Sequence, residues 1–273
     1  MGFTCLREGE QMMNLITLVI PCYNEAARLD VGAFLRALEE NPMLTFVFVD
    51  DGSTDATAET LAFLEHESPA IQALYLPQNK GKAEAVRAGV NWVLAHTSCE
   101  VVGFWDADLA TPLEELPRFV AELERDRSRE IVIGARWPHL GAHIERTTFR
   151  SFTSEAMKLL ICSFIGVHIF DTQCGAKLFR REAAAEIFAR PFISRWLFDV
   201  ELLLRLGAKR VRQHGVEVPL QSWIDVPGSK MRAGDLPRLV WDLVRIRRST
   251  KEDSPLHEPA KIWYNMRHAH TDY

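Results

Sequence analysis

Two carboxylates one residue apart, Asp106 and Asp108 around Ala107, are the residues of this chain best suited to do chemistry. They follow the apolar run Val101-Val102-Gly103-Phe104-Trp105, which reads as a buried strand. Placed at a strand end, the pair can face one pocket and hold a hard divalent cation, Mg2+ or Mn2+, with diphosphate oxygens completing its shell. Such a cation stabilises a leaving nucleoside diphosphate as a Lewis acid. Taken alone, an Asp-x-Asp pair is more often a solvated turn, so the surrounding elements decide.

Those elements alternate. Leu15 to Ile20 is a strand ended by Pro21, and Leu29 to Glu39 has the apolar spacing of a helix. Phe46 to Val49 is a second strand. Ser53 or Thr54 is placed to cap a helix running to about His66. Ile71 to Leu76 is a third strand, Lys82 to Leu94 a helix, and Val101 to Trp105 the fourth strand. Pro112 to Arg125 is a helix and Ile131 to Ile133 a fifth strand. Beyond it, helices are expected over Phe149–Phe164, Arg181–Phe188, Phe198–Leu206 and Leu236–Arg248, with strands at Lys177–Phe179 and Val216–Leu220. This order predicts an α/β fold whose central sheet is mixed and mainly parallel. Ligands bind at the carboxyl ends of such strands. Tyr23, Asn24 and Glu25, then Asp50 and Asp51, then Asn79, Lys80 and Lys82, then Asp106 and Asp108 all fall there.

Composition excludes other classes. The net charge of −5 is wrong for broad nucleic-acid binding. Five scattered cysteines have no metal-ligand spacing and read as reduced thiols. Cys174 is expected to be a small buried thiol rather than a nucleophile. No stretch reaches the roughly 18–20 apolar residues that span a bilayer, so no transmembrane anchor is expected.

Ile20-Pro21-Cys22-Tyr23-Asn24-Glu25, Val49-Asp50-Asp51-Gly52-Ser53-Thr54-Asp55, Asn79-Lys80-Gly81-Lys82 and Asp106-Ala107-Asp108 occur in this order. Together they resemble the family 2 glycosyltransferases, which implies the GT-A nucleotide-sugar-binding fold. The resemblance places Pro21, Tyr23, Glu25 and Asp51 around the nucleoside. It places Asp106 near ribose and diphosphate and Asp108 on the metal. Asn24 and Lys82 are further donor-binding candidates.

Asp171-Thr172-Gln173-Cys174-Gly175-Ala176-Lys177-Leu178-Phe179, Arg195 to Leu203 and Gly228-Ser229-Lys230 resemble motifs of dolichyl-phosphate β-glucosyltransferases and related polyprenyl-phosphate sugar synthases. That implies inverting transfer of a hexose, expected to be glucose from UDP-glucose, to a polyprenyl phosphate. Related mannosyltransferases carry Gln where Ala110 stands here, so one metal ligand fewer is expected and UDP-glucose is favoured over GDP-mannose. Arg136, Arg146, Arg150 and Lys230 are the candidate cations for acceptor phosphate or diphosphate. Asp199 is the candidate base by resemblance. Its alternative is a capping or ion-paired carboxylate, since a phosphate acceptor is already anionic.

The resemblance divides the chain into an extra segment 1–13, a donor half 14–108, an acceptor half 109–235, and a helix with a polar tail over 236–273. Segments 137–150 and 225–235 are candidate lids. The last helix mixes Arg238, Arg245, Arg247 and Arg248 with apolar residues. It reads either as packed on the catalytic domain or as lying on an anionic membrane. The expected location is cytoplasmic, with peripheral contact to the membrane face under the second reading. The rival functions are a family 2 transferase with another donor or a soluble glycan acceptor, a non-catalytic nucleotide-sugar binder, and a nucleotidyltransferase.

Overall fold

The computed structural model describes residues 16–144, 161–164, 166–195, 197–224 and 236–251, the last segment with side chains from 241 to 250. A seven-stranded sheet in the order β3-β2-β1-β4-β7-β5-β8 forms its centre. Strands β1 (Ile16–Cys22), β2 (Leu44–Asp50), β3 (Ile71–Tyr75) and β4 (Val101–Trp105) run parallel. Strand β7 (Ala176–Arg180) inserts antiparallel between β4 and β5 (Ile131–Ala135). Strand β8 (Gly215–Pro219) pairs parallel with β5 at the edge. A ribbon of two strands, β6 (His143–Ile144) and β9 (Ser222–Trp223), stands beside it. The expected mixed, mainly parallel sheet is thus present.

Both faces of the sheet are buried, which is why its strands read as unbroken apolar runs. On one face Leu18, Ile20, Phe46 and Phe48 meet Phe34 and Ala37 of α1 (Val31–Glu40), Leu61 and Leu64 of α2 (Thr57–Glu67), and Phe119 and Leu123 of α4 (Leu116–Arg125). On the other, Val19, Val47 and Val49 meet Val86, Val90 and Val93 of α3 (Lys82–His96). That second face continues through α5 (Arg181–Ile187) and α6 (Phe198–Leu206) to Leu243 and Ile246 of α8 (Leu236–Lys251). Burying each such side chain stabilises the fold by about 1.5–3 kcal/mol before entropy is charged against it.

Several expectations need correction. Strand β1 does not stop at Pro21; it runs to Cys22, with Pro21 opposite Val49. β4 pairs β1 only from Ile16 to Val19, so the N–H that proline lacks is not missed. Ser53 and Thr54 do not cap α2, which starts at Thr57, where Asp55 accepts from the Thr57 backbone N–H at 3.0 Å. Ser53 and Thr54 instead bond Asn24. Helix α4 begins one turn late, after a 3-10 turn at Leu113–Glu115. The ribbon β6–β9 and helix α7 (Ala208–His214) were not anticipated. Two-residue strands carry no period, and α7 buries only Val211. Of the helix expected over 149–164, residues 149–160 lie outside the described residues. So do Arg146, Arg150, Lys230, the 225–235 segment and residues 145–150 of the 137–150 segment.

Candidate donor and metal site

The carboxyl ends of β1 to β4 share one edge, since Cys22 lies opposite Asp50 and Asp50 opposite Tyr75. The loops after them are tied together by their own polar side chains. Asn24 adopts φ +55°, a left-handed turn that asparagine tolerates. Its Oδ1 accepts from the Thr54 N–H at 2.8 Å, and its own N–H donates to Ser53 Oγ at 3.0 Å. The buried Asp51 carboxylate accepts from the N–H groups of Lys80 at 2.7 Å and Gly81 at 2.6 Å. Gly52, at φ +69°, runs so close to Gln78 and Asn79 that a Cβ would overlap their backbone. The first three loops are therefore one rigid unit.

Asp106, on the fourth loop, is held from two sides. The Lys82 ammonium pairs with its Oδ1. Gly175, from the second half of the chain, lies so close that a Cβ there would overlap Asp106 Oδ2. Asp108 accepts from the Ala110 N–H at 3.1 Å and has no ion-pair partner among the described residues. Burial, then the neighbouring Asp106 charge, pushes its carboxyl above the usual carboxylate range. Burial does the same to Glu25, although Arg28 at 2.6 Å opposes it and both Asp106 and Asp108 add to it. Glu25 Oε2 is buried with no hydrogen-bond partner. Three carboxylates thus feel one another, with an orphaned oxygen among them, and their hard oxygen donors fit a divalent cation. Among the described residues no three His, Cys, Asp or Glu side chains form a complete cage, so diphosphate oxygens would have to finish the shell. Ala110 supplies only backbone atoms: its N–H goes to Asp108 and its carbonyl accepts from Ile224 N–H at 3.1 Å.

The remaining donor candidates, Pro21 and Tyr23, are half-buried beside Glu25 at the end of β1. Arg136 follows β5. Its Nε and Nη2 donate to Asp171 at 2.5 and 2.8 Å, and its guanidinium lies over the Trp223 ring at 5.1 Å. Burial alone would raise the Asp171 carboxyl, but the bonds and charge of Arg136 hold it down at about 2. Glu217 fixes the Asp171 loop by accepting from Phe170 and Asp171 N–H, each at 2.9 Å.

Asp199, the candidate base, lies in the first turn of α6 at 5% exposure and accepts from Lys177 Nζ at 2.6 Å. Burial raises its carboxyl despite Lys177 and Lys82. Lys177 also donates to the Cys174 carbonyl at 2.6 Å and is wholly buried. Sequence reading saw Lys177 only as part of a strand and a motif, and Asp171 only as part of that motif. A lone lysine in a buried strand, with acids in the first turn of α6, was the available signal. The Cys174 thiol is pushed up to about 11 by burial, which agrees with an inert residue.

Comparison with known proteins points the same way. Residues 17–188 match the model of glycosyl transferase family 2. A dolichyl-phosphate beta-glucosyltransferase of Trichomonas vaginalis is 37% identical over 248 residues, spanning 84% of this chain and 70% of that protein. The dolichyl-phosphate beta-glucosyltransferase of Saccharomyces cerevisiae is 32% identical, spanning 85% and 74%. Among solved structures, glucosyl-3-phosphoglycerate synthase of Mycobacterium tuberculosis superposes with a TM-score of 0.64 at 18% identity, covering 87% of this chain and 80% of that one. The same protein is known in complex with Mn2+ and UDP-glucose, with a TM-score of 0.64, 18% identity and 86% and 79% coverage.

Proposed function

Because this chain belongs to glycosyl transferase family 2 and has the GT-A fold, we propose that it transfers glucose from UDP-glucose to a dolichyl-type polyprenyl phosphate, inverting the anomeric carbon. The observation that carries the reading is the seating of Asp106 between Lys82 of the donor half and Gly175 of the acceptor half. One carboxylate thereby couples the donor loops to the motif shared with the dolichyl-phosphate enzymes. The identity of those relatives over most of the chain supports the acceptor, and Ala110 supports the glucosyl donor.

In this reading Asp106 and Asp108 would hold Mg2+ or Mn2+, which supplies Lewis-acid stabilisation of the leaving diphosphate. Pro21, Tyr23, Asn24, Glu25 and Asp51 shape the nucleoside end through the tied loops. Lys82 offers an ammonium to the diphosphate. Arg136, aimed by Asp171, offers a cation to the acceptor phosphate, a role the sequence also suggests for Arg150 and Lys230. The acceptor is already an anion, so attack needs no proton removed, and Asp199 serves as the ion-pair partner of Lys177. No helix of the described residues is long and apolar enough to cross a membrane. Contact with the acceptor's membrane falls to the exposed side of α8.

Mass spectrometry of products tests the reading. UDP-glucose, a polyprenyl phosphate and Mn2+ or Mg2+ are expected to yield the lipid-linked hexose, with far less product from GDP-mannose and none without the metal. Transfer only to a water-soluble glycan, or equal use of GDP-mannose, would sink it.

A further inference from the structure

Lys82 is an odd residue for its position. It opens α3, where the helix dipole favours an anion, so the lysine does nothing for the helix it begins. Its ammonium lies within 6 Å of two aromatic rings, 5.8 Å from the centre of Phe104 and 5.9 Å from that of Phe198. Besides Asp106 it faces the charges of Asp199 and Asp108. Of the acids it faces, Asp199 already has Lys177, and Asp108 has no cation. The contact Lys82 makes is with Asp106, one of the two carboxylates assigned above to the metal. An ammonium and a divalent cation on one carboxylate repel each other, so each weakens the other's hold on it.

We propose that Lys82 is an exchangeable counter-ion: it neutralises Asp106 in the resting protein and passes to the diphosphate when a divalent cation takes that carboxylate, so that cation and nucleotide each strengthen the other's binding. The inference rests on the metal and donor reading above and adds the coupling to it. A cation arriving alone must weaken the Lys82–Asp106 pair and leave the ammonium, beside two aromatic rings, without its carboxylate. A nucleoside diphosphate arriving with it supplies new anionic oxygens for that ammonium, and charge-assisted bonds to phosphate are strong ones. Coupling of this kind is reciprocal. Gly175 lies against the Oδ2 side of Asp106, so close that a Cβ there would overlap it.

Mn2+ binding, followed by the electron paramagnetic resonance signal of the free ion with and without UDP, tests this without turnover. In the wild-type chain UDP is expected to tighten Mn2+ binding by on the order of tenfold. Lys82→Met is expected to bind Mn2+ alone roughly threefold or more tighter than wild type, with a correspondingly smaller gain from UDP. Lys82→Gln, a second neutral variant, is expected to behave alike, and circular dichroism checks that each is folded. Unchanged or weakened Mn2+ binding in a folded neutral variant overturns the counter-ion role while leaving the metal reading intact. A wild-type chain that binds no Mn2+ even with UDP overturns both.

Discussion

At the scale of the residue, Arg136 and Asp171 show how a surface-type ion pair becomes a positioning device. Asp171 is 4% exposed and bonds Arg136 through two guanidinium nitrogens and a backbone N–H. Its folded-state pKa of about 2 lies below the ordinary value of about 3.9. A group depressed in this way contributes stability in full above the unfolded value and loses it as pH falls through the folded one. The pair is therefore expected to contribute about 2–3 kcal/mol at neutral pH, fading between about pH 4 and pH 2. Asp171→Asn should lower the unfolding free energy measured in urea at pH 7 by that amount or more, because Arg136 keeps its charge, and should flatten the acid limb over that window. A variant whose midpoint tracked wild type at every pH would refute the assignment. At this scale the sequence was partly legible. Asp106, Asp108 and Lys82 could be named because motifs sit at strand ends. The partners Asp171, Glu217 and Lys177 could not, because what matters about them is who lies opposite, 35, 46 and 22 residues away.

At the scale of the element, helix α8 has two faces. Leu243 and Ile246 are fully buried, and Asp242 accepts from Ser194 Oγ at 2.8 Å, so one side is packed on the domain. Trp241, at 60% exposure, Arg245 and Arg248 line the opposite side at helical spacing. The packed reading describes one side of the helix, and membrane contact is a proposal for the other. An aromatic ring flanked by guanidinium groups suits the interface of an anionic bilayer. The protein is expected to float with vesicles containing anionic lipid and to lose most of that association in high salt or as Trp241→Ala. Flotation equal on neutral vesicles would argue against the stripe. Long periodic elements such as α6 and β4 could be read to the residue, since burial on both sides of the sheet makes their apolar runs unambiguous. The ribbon β6–β9 could not, because its pairing is set by the chain returning from β8, not by its own two-residue strands.

At the scale of the whole molecule, strand alternation revealed the fold class, but strand order was hidden. Nothing local in Ala176–Arg180 says that it enters the sheet antiparallel, or that it separates β4 from β5. The donor and acceptor halves are consequently one sheet, with β7 of the second half bonded to β4 of the first from Val101 to Trp105. That placement governs the order in which the chain can fold as it leaves the ribosome. When residues 16–144 have emerged, β1 to β4 can already pair, yet β4 presents a bare edge and β5 has no neighbour until residues 176–180 arrive. Bare apolar edges recruit other chains. A fragment ending at Ile144 is expected to be recovered largely as aggregate, and extending it through Pro219, which adds β7 and β8, should restore solubility; a soluble, monomeric short fragment would show that the gap closes another way. Late-arriving β7 is also the strand that follows Gly175, so the last pairing to form in the middle of the sheet is the one that brings the wall of the Asp106 pocket into place. A nascent chain would therefore acquire the edge proposed for the nucleotide early and the geometry proposed for the metal late, so that the proposed site is complete only when synthesis is well past the midpoint.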